Sequence, residues 1–275
     1  MNTVAPEDTA ARTALWRALH AELDPAPVLT DTIGLDLLAP ASDWRDRGDM
    51  DPDFTRGMRA WVATRSRIVE DLVLSSGVDQ YVLLGAGLDS FAQRHPDSTV
   101  SVFEVDEPGP QQWKRDRLKA LGLLADRQRF VPVDFETDGE WLLRLRPLGF
   151  DRLRPAVVAS LGVSMYLTRE ATATTLATVA GLAPGTVLAM TYQPPTDALS
   201  GADRRAREVS MAGAERNGTP FLSFYTAHDA AELARAAGFS SAETISTEDA
   251  TTRYFSGRTD GLAPAHGEEM LIATV

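Results

Sequence analysis

The segment from residue 81 to 106 limits the possible folds of this chain more than any other. An apolar run, YVLL at 81–84, leads into the turn GAGLDS at 85–90, and a second run, VSVFEVD at 100–106, ends in two acids. A buried parallel strand that enters a glycine-rich turn lets backbone N–H groups approach a ligand, and an acid about 20 residues later suits ribose hydroxyls. The pattern therefore predicts the first half of a sheet that binds an adenosine-containing cofactor.

The identity of that cofactor depends on the third glycine of the turn. A Gly-x-Gly-x-x-Gly turn lets a helix pack close behind a pyrophosphate, whereas here the fifth and sixth positions are Asp89 and Ser90. A cofactor with a sulfonium and an amino-acid tail has no large anion to cradle, and it tolerates a carboxylate such as Asp89. The turn thus favours S-adenosylmethionine over NAD, although Gly85-Ala86-Gly87 alone is equally typical of a tight turn that binds nothing.

Composition excludes several classes of function. The formal net charge of -12 argues against a nucleic-acid partner, because phosphate binding depends on clustered lysines and arginines. The absence of cysteine removes disulfides, thiolate nucleophiles and zinc–thiolate sites, and 4 scattered histidines do not predict a metal site. No segment resembles a signal peptide or a membrane span, so we expect a soluble, cytoplasmic protein that does not associate with membranes.

The element pattern predicts a single α/β domain over residues 1–275. Helical spacing of apolar residues indicates an N-terminal helical cap over 1–76, and from 77 onward strands alternate with helices, which predicts a Rossmann-like, doubly wound and mostly parallel seven-stranded sheet. The predicted strands are 81–84, 100–105, 129–133, 156–160, 186–191, 242–245 and 270–275. The predicted helices are 9–23, 31–38 with Asp31 as its N-cap, 54–74, 110–121, 139–145, 169–181 and 227–237.

One segment interrupts the alternation of strands and helices. Residues 194–220 contain a polar, arginine-rich helical stretch between the proline breaks at 194–195 and at Pro220. An insertion at this place predicts a lid over a pocket.

Several motifs in a fixed order extend the analysis to most of the chain. They are RSR at 65–67, LGAGLDS at 84–90, FEVDEP at 103–108, VDF at 133–135, SLGVSMYLT at 160–168 and RYFSGR at 253–258. With these motifs the sequence resembles the leucine carboxyl methyltransferase superfamily of class I methyltransferases. In particular, it is similar to the bacterial branch that includes tetracenomycin-type polyketide O-methyltransferases.

The resemblance implies roles for the cofactor-binding residues. The positions matching Gly85 and Gly87 line the methionine part of S-adenosylmethionine, the one matching Asp106 holds the ribose, and the one matching Arg65 contacts the cofactor carboxylate. Glu104 lies two residues before Asp106 on the same strand face, so alternation leaves both acids as candidates. The alternative for Arg65 is an ordinary surface ion pair.

The ends of the third and fourth strands carry the other implied contacts. The resemblance assigns the adenine amino group to Asp134, with an adjacent contact at Phe135, while a helix N-cap is the alternative for Asp134. Many relatives have a glutamate where this chain has Leu161, so the acidic contact does not carry over. Backbone groups of Ser160 and Leu161 could still hold the methionine amino group, and the departure places the chain nearer to natural-product enzymes than to those that methylate a phosphatase tail.

These features predict an S-adenosylmethionine-dependent O-methyltransferase that acts on a carboxyl or hydroxyl group of a small, polyketide-like natural product. A carboxylate acceptor is already ionised at neutral pH and needs no base, whereas a phenol needs one, and Tyr166 and His228 are the candidates for acceptor contact or proton removal. Five aromatic residues are candidates for the wall of an acceptor pocket: Trp16, Trp61, Phe221, Phe224 and Tyr225. The alternatives are a C-methyltransferase or cyclase, or a cofactor-binding module without turnover; a homo-oligomer is possible.

Overall fold

A seven-stranded sheet forms the centre of the protein. The computed structural model describes residues 8–134 and 140–275. The strands lie in the order β3-β2-β1-β4-β5-β7-β6, and they are parallel except β7, which runs antiparallel to β5 and β6. Their bounds are β1 Gln80–Leu84, β2 Ser101–Asp106, β3 Gln128–Pro132, β4 Val157–Ser160, β5 Val187–Tyr192, β6 Ser241–Ile245 and β7 Glu269–Thr274. The predicted doubly wound, mostly parallel sheet is confirmed, with each strand displaced by at most one residue at either end.

Ten α-helices occur within the described residues. They are α1 Asp8–Leu23, α2 Ile33–Leu38, α3 Arg56–Ser76, α4 Phe91–Arg94, α5 Pro108–Ala120, α6 Trp141–Leu145, α7 Arg169–Ala180, α8 Gly201–Arg216, α9 Ala227–Ala237 and α10 Thr247–Tyr254. Sequence analysis did not predict α4 or α10. Residue 139, the predicted start of the helix before β4, lies outside the described residues.

The core occupies both faces of the sheet, because successive side chains of a strand point to opposite sides. Val82 and Leu84 of β1 pack with α6, α7 and α9 in one apolar cluster, whereas Tyr81 and Leu83 pack with α3, α4 and α10 in the other. All five residues of β1 are buried. Burial on both faces explains why this strand reads as a continuous apolar run.

Buried polar contacts attach the N-terminal helices to the glycine turn. Arg17 of α1 donates from Nε to Asp31 Oδ2 over 2.6 Å and from Nη2 to the carbonyl of Leu88 over 2.6 Å. Ser90 Oγ donates to the same Asp31 oxygen over 2.7 Å. Asp31 was predicted to cap α2, but Thr32 occupies the N-cap position. Asp31 accepts the Ile33 N–H over 3.2 Å and also joins the helical cap to the sheet.

The insertion between β5 and α9 contains α8, as its polar, proline-bounded sequence predicts. Only Arg207 of its sixteen residues is buried. Throughout residues 8–134 and 140–275, no helix has the length and apolar character needed to cross a lipid bilayer.

Candidate active site

A cavity of about 700 Å³ opens at the carboxyl ends of β1, β2 and β4. Parallel sheets bind ligands at this edge. Helices α1 and α3 form one wall, and α8 with residues 217–222 forms another. Nine of the predicted cofactor-binding and catalytic residues line it: Arg65, Gly85, Ala86, Gly87, Asp89, Asp106, Asp134, Leu161 and Tyr166. Phe135 lies outside the described residues.

The glycine turn is shaped by a close approach of two loops. Gly85 has φ +70°, and a Cβ there would lie 2.4 Å from Val163 Cγ2, which is far inside van der Waals contact. Gly87 has φ +48°, and its N–H donates to Asp106 Oδ2 over 2.5 Å. Glycine is therefore required at position 85 by both backbone conformation and space.

Asp106 is held at the end of β2 by backbone donors. Besides the Gly87 N–H, the Glu107 N–H donates to its Oδ1 over 2.8 Å. Burial raises the pKa of Asp106, and these two N–H groups partly offset that rise. Each oxygen keeps a free lone pair, so the carboxylate can accept from a ligand hydroxyl at the cavity wall.

Glu104, the other candidate acid, does not line the cavity. Its side chain is 1% exposed, and its two oxygens accept from Lys114 Nζ over 2.7 Å and from Gln128 Nε2 over 2.7 Å. Burial raises the pKa of Glu104, and the Lys114 ammonium opposes that rise. The strand alternation was read correctly, but the inference that Glu104 reaches the cofactor edge is corrected, and Asp106 remains as the ribose candidate.

Arg65 belongs to an ion pair inside the cavity, not to an exposed one. From α3 it donates through Nη1 to Glu268 Oε2 over 2.6 Å, and the two side chains are 11% and 10% exposed. Trp61 Nε1 donates to the same oxygen over 2.7 Å. Gly162, with φ +72°, makes room for the guanidinium, since a Cβ there would lie 3.1 Å from Arg65 Nη2. Sequence analysis missed Glu268, which precedes β7 and has no recognisable motif around it.

The loop after β4 is fixed by hydrogen bonds to β5. The Gly162 N–H donates to Thr191 Oγ1 over 2.7 Å, and Ser164 Oγ donates to the Thr191 carbonyl over 2.7 Å. Leu161 lines the cavity and packs against the apolar cluster that includes Tyr81. Ser160 is 3% exposed and does not line the cavity, so the backbone contact predicted for Ser160 stays a prediction.

Tyr166 lines the cavity beside the end of the insertion. Its ring meets that of Phe221 edge-on, with centroids 5.4 Å apart. The Leu222 N–H donates to the Met165 carbonyl over 2.6 Å, and Ser223 Oγ donates to the Leu167 carbonyl over 2.6 Å. The loop after β4 and the end of the insertion therefore form one continuous wall.

His228 was a candidate for proton removal, and the structure contradicts this prediction. It is exposed in the first turn of α9 and does not line the cavity. Instead, His266 lines the cavity, and its Nδ1 is 2.6 Å from Thr247 Oγ1. Of the aromatic candidates, Trp16, Trp61 and Phe221 line the cavity, whereas Phe224 and Tyr225 do not.

Arg207 anchors α8 over the cavity. It donates to the Pro194 carbonyl over 2.9 Å and to the Gly267 carbonyl, and its guanidinium lies 5.5 Å from the ring centre of Phe224. Burial lowers the pKa of Arg207 to about 10. Sequence analysis did not single out Arg207, because its carbonyl partners come from separate loops and leave no local pattern.

Comparison with known families gives a match over more than half of the chain. Residues 10–180 match the family model described as leucine carboxyl methyltransferase. A relative from Mycolicibacterium gilvum, named "Putative S-adenosyl-L-methionine-dependent methyltransferase", is 37% identical over 217 residues, which are 72% of this chain and 69% of that protein. A Bacillus subtilis protein of the same description, YktD, is 35% identical over 193 residues, 68% of this chain and 62% of its own length.

Solved structures show the same fold at low sequence identity. A DUF574 family protein from Streptomyces avermitilis superposes with a TM-score of 0.60 at 18% identity and covers 98% of this chain and 97% of its own. Magnesium protoporphyrin IX methyltransferase from Synechocystis, solved with S-adenosylhomocysteine bound, superposes with a TM-score of 0.52 at 14% identity over 96% and 99% of the two chains. The architecture is that of class I methyltransferases.

Proposed function

The chain belongs to the leucine carboxyl methyltransferase family of S-adenosylmethionine-dependent methyltransferases, and on that premise we propose that it methylates a carboxyl or hydroxyl oxygen of an apolar small molecule, a natural product of polyketide type. The family fixes S-adenosylmethionine as the cofactor. The acceptor is inferred from the part of the cavity that the cofactor residues do not account for.

Residues of α3 and of the carboxyl ends of β1 and β2 fit the cofactor. Arg65 suits its carboxylate, the Gly85 turn brings backbone close to a ligand, and Asp106 offers acceptors for ribose hydroxyls. When bound, S-adenosylmethionine would supply an electrophilic methyl group on its sulfonium, so that an ionised acceptor oxygen would bond to the methyl carbon as the carbon–sulfur bond breaks, which leaves a methyl ester or ether and a neutral thioether. The protein has to position the acceptor oxygen and exclude water.

One observation carries the proposal for the acceptor. Three large apolar side chains at the cavity are more exposed than a folded core would leave them: Phe54 at 57%, Val209 at 63% and Leu222 at 51%. Exposed apolar surface that borders a cavity marks a binding site for an apolar ligand. The net charge of -12 disfavours binding of polyanionic acceptors in this cavity.

The ionisation of the acceptor determines which residues take part. A carboxylate acceptor is charged at neutral pH, and positioning alone suffices for methyl transfer. A phenol has to lose its proton, and His266, Tyr166, Asp49 and Asp203 are titratable side chains of the cavity wall that we have not assigned to the cofactor.

The test is a screen of apolar carboxylic acids, phenols and alcohols with purified protein and S-adenosylmethionine. We expect formation of S-adenosylhomocysteine together with a product that is heavier by one CH₂ unit, and saponification separates an ester from an ether. A methyl group on carbon, or a product of unchanged mass, would overturn O-methylation in favour of the C-methyltransferase or cyclase. Cofactor binding without turnover across the panel would favour a binding module.

One substitution at the opening of the cavity tests whether the acceptor binds there. In Leu222→Asp we expect the KM for an apolar acceptor to rise at least about tenfold, because a charge replaces apolar contact area. Leu153→Asp is the matched control, since Leu153 is 81% exposed and lies away from the cavity. Equal KM values in the two variants would contradict the proposed position of the acceptor.

A further inference from the structure

Glu268 has an oxygen that no described residue uses. Its Oε2 accepts from both Arg65 and Trp61, whereas its Oε1 is buried without a hydrogen-bond donor. The side chain is nine-tenths buried and lines the cavity wall. A buried carboxylate oxygen without a donor is costly, so its presence beside a cavity indicates a ligand donor at this point.

Arg65, by contrast, has hydrogen-bond donors that no described residue accepts. Of its five N–H donors, one bond, to Glu268, is made among the described residues. Its guanidinium lies against Gly162, whose missing Cβ leaves that space open. Arg65 and Glu268 thus form a pair in which the cation can still bind an anion and the anion can still bind a cation.

The pair lies next to the glycine turn. Gly162 adjoins Arg65, and the following residue, Val163, is the one that a Cβ on Gly85 would strike. Asp106 and Asp89, the other acids close to the turn, have no buried oxygen that lacks a hydrogen-bond donor: both oxygens of Asp106 accept a backbone N–H, and Asp89 Oδ1 accepts the Phe91 N–H over 2.9 Å. Glu268 is therefore the acid that pairs with Arg65 and still lacks a donor.

We propose that Glu268 accepts the α-ammonium group of the cofactor through Oε1 while Arg65 binds the adjacent α-carboxylate. An amino-acid end carries both charges on neighbouring atoms, and an arginine–glutamate pair with both charges available matches it. Arg207 of α8 donates to two backbone carbonyls, one of them that of Gly267 next to Glu268. The inference rests on the cofactor named in the proposed function and is independent of the acceptor.

The test compares two ligands by calorimetry: S-adenosylhomocysteine and its desamino analogue, in which hydrogen replaces the α-amino group. Glu268→Gln keeps the shape of the side chain and removes the charge. We expect this variant to bind S-adenosylhomocysteine at least about tenfold more weakly than wild type and to bind the desamino analogue with unchanged affinity. Glu269→Gln, whose carboxylate accepts from Tyr192, is the control and should bind both ligands as wild type does.

Two results would overturn the proposal. An equal loss for both ligands means that Glu268 only positions Arg65, and no loss for either means that Glu268 does not contact the cofactor. If Glu268→Gln does not fold, the affinities of wild type for the two ligands still test the proposal. Equal affinities would exclude a site for the ammonium group. Failure of wild type to bind S-adenosylhomocysteine at all would instead refute the proposed function.

Discussion

At the scale of single residues, position 85 depends on its missing side chain. The Cβ of any other residue would lie 2.4 Å from Val163 Cγ2, whereas Gly77 has the same φ, +71°, with nothing within 4 Å of its Cβ position. The two glycines thus separate the cost of a left-handed backbone from the cost of a collision. Only the second cost is specific to the cavity.

We expect Gly85→Ala to lower the free energy of unfolding more than Gly77→Ala. Both variants carry about 1–2 kcal/mol of left-handed strain, and Gly85→Ala adds about 1–3 kcal/mol of overpacking against Val163. It should also weaken binding of S-adenosylhomocysteine, because the turn has to move. Urea unfolding and calorimetry measure both effects.

The control for this prediction is a second substitution in the same contact. Val163→Ala removes the methyl group that the new Cβ strikes, so Gly85→Ala with Val163→Ala should recover stability toward that of Gly77→Ala. If the double variant is no more stable than Gly85→Ala, collision with Val163 is not the cause.

The acids of β2 show how far a sequence pattern determines a site. Alternation places Glu104 and Asp106 on one strand face, and both are there. The partners that neutralise Glu104, Lys114 on α5 and Gln128 on β3, lie 10 and 24 residues downstream. No local pattern reveals such partners, and for the same reason Glu268 and Arg207 escaped the sequence analysis.

At the scale of elements, strands were easier to predict than helix starts. β1, β4 and β5 are buried on both faces and read as unbroken apolar runs, which fixes their bounds closely. The helix predicted from Phe54 begins at Arg56, because the preceding residues form a turn that leaves Phe54 at the cavity mouth. The unpredicted α10 has eight residues and little apolar spacing, although Ser246 and Asp249 form a capping box at its start.

We expect the order of α8 to depend on the side chain of Arg207. We expect Arg207→Ala to increase amide hydrogen exchange across Gly201–Arg216, because two carbonyl contacts and the contact with Phe224 are lost. Arg204→Ala is the control, since Arg204 is exposed and, among the described residues, its side chain pairs with Glu208 of the same helix alone. Unchanged exchange in Arg207→Ala would show that the helix is held by other contacts.

At the scale of the whole molecule, one buried carboxylate joins two helices of the cap and another joins the cap to the glycine turn: Asp24 pairs with His20 and Arg59, and Asp31 accepts from Arg17 and Ser90. Burial alone would raise the pKa of Asp24, but hydrogen bonds from His20 and Arg59 outweigh it and lower the pKa to about 2. Burial would likewise raise the pKa of Asp31, yet Arg17 and Arg94, with a hydrogen bond from Ser90, lower it. Since both pKa values are lower in the folded state, these groups stabilise the protein above pH 4 or so and lose that effect as the pH falls toward 2.

We expect Asp31→Asn to lower the free energy of unfolding at pH 7 by about 3–5 kcal/mol, because Arg17 is left buried without its anion. The variant should also lose less stability than wild type between pH 5 and pH 3. Asp36→Asn, on the exposed face of α2, is the control and should stay within about 0.5 kcal/mol. Urea unfolding across this pH range measures all three proteins, and parallel pH profiles for Asp31→Asn and wild type would contradict the linkage.

The position of β7 bears on when, during synthesis, the protein becomes able to bind its cofactor. β7 inserts between β5 and β6, and the residue just before it, Glu268, pairs with Arg65, 203 positions earlier. A chain emerging from the ribosome therefore has its glycine turn and its arginine long before the acid that faces them. On the proposed role of Glu268, the cofactor therefore binds at full affinity only once β7 has paired with β5 and β6.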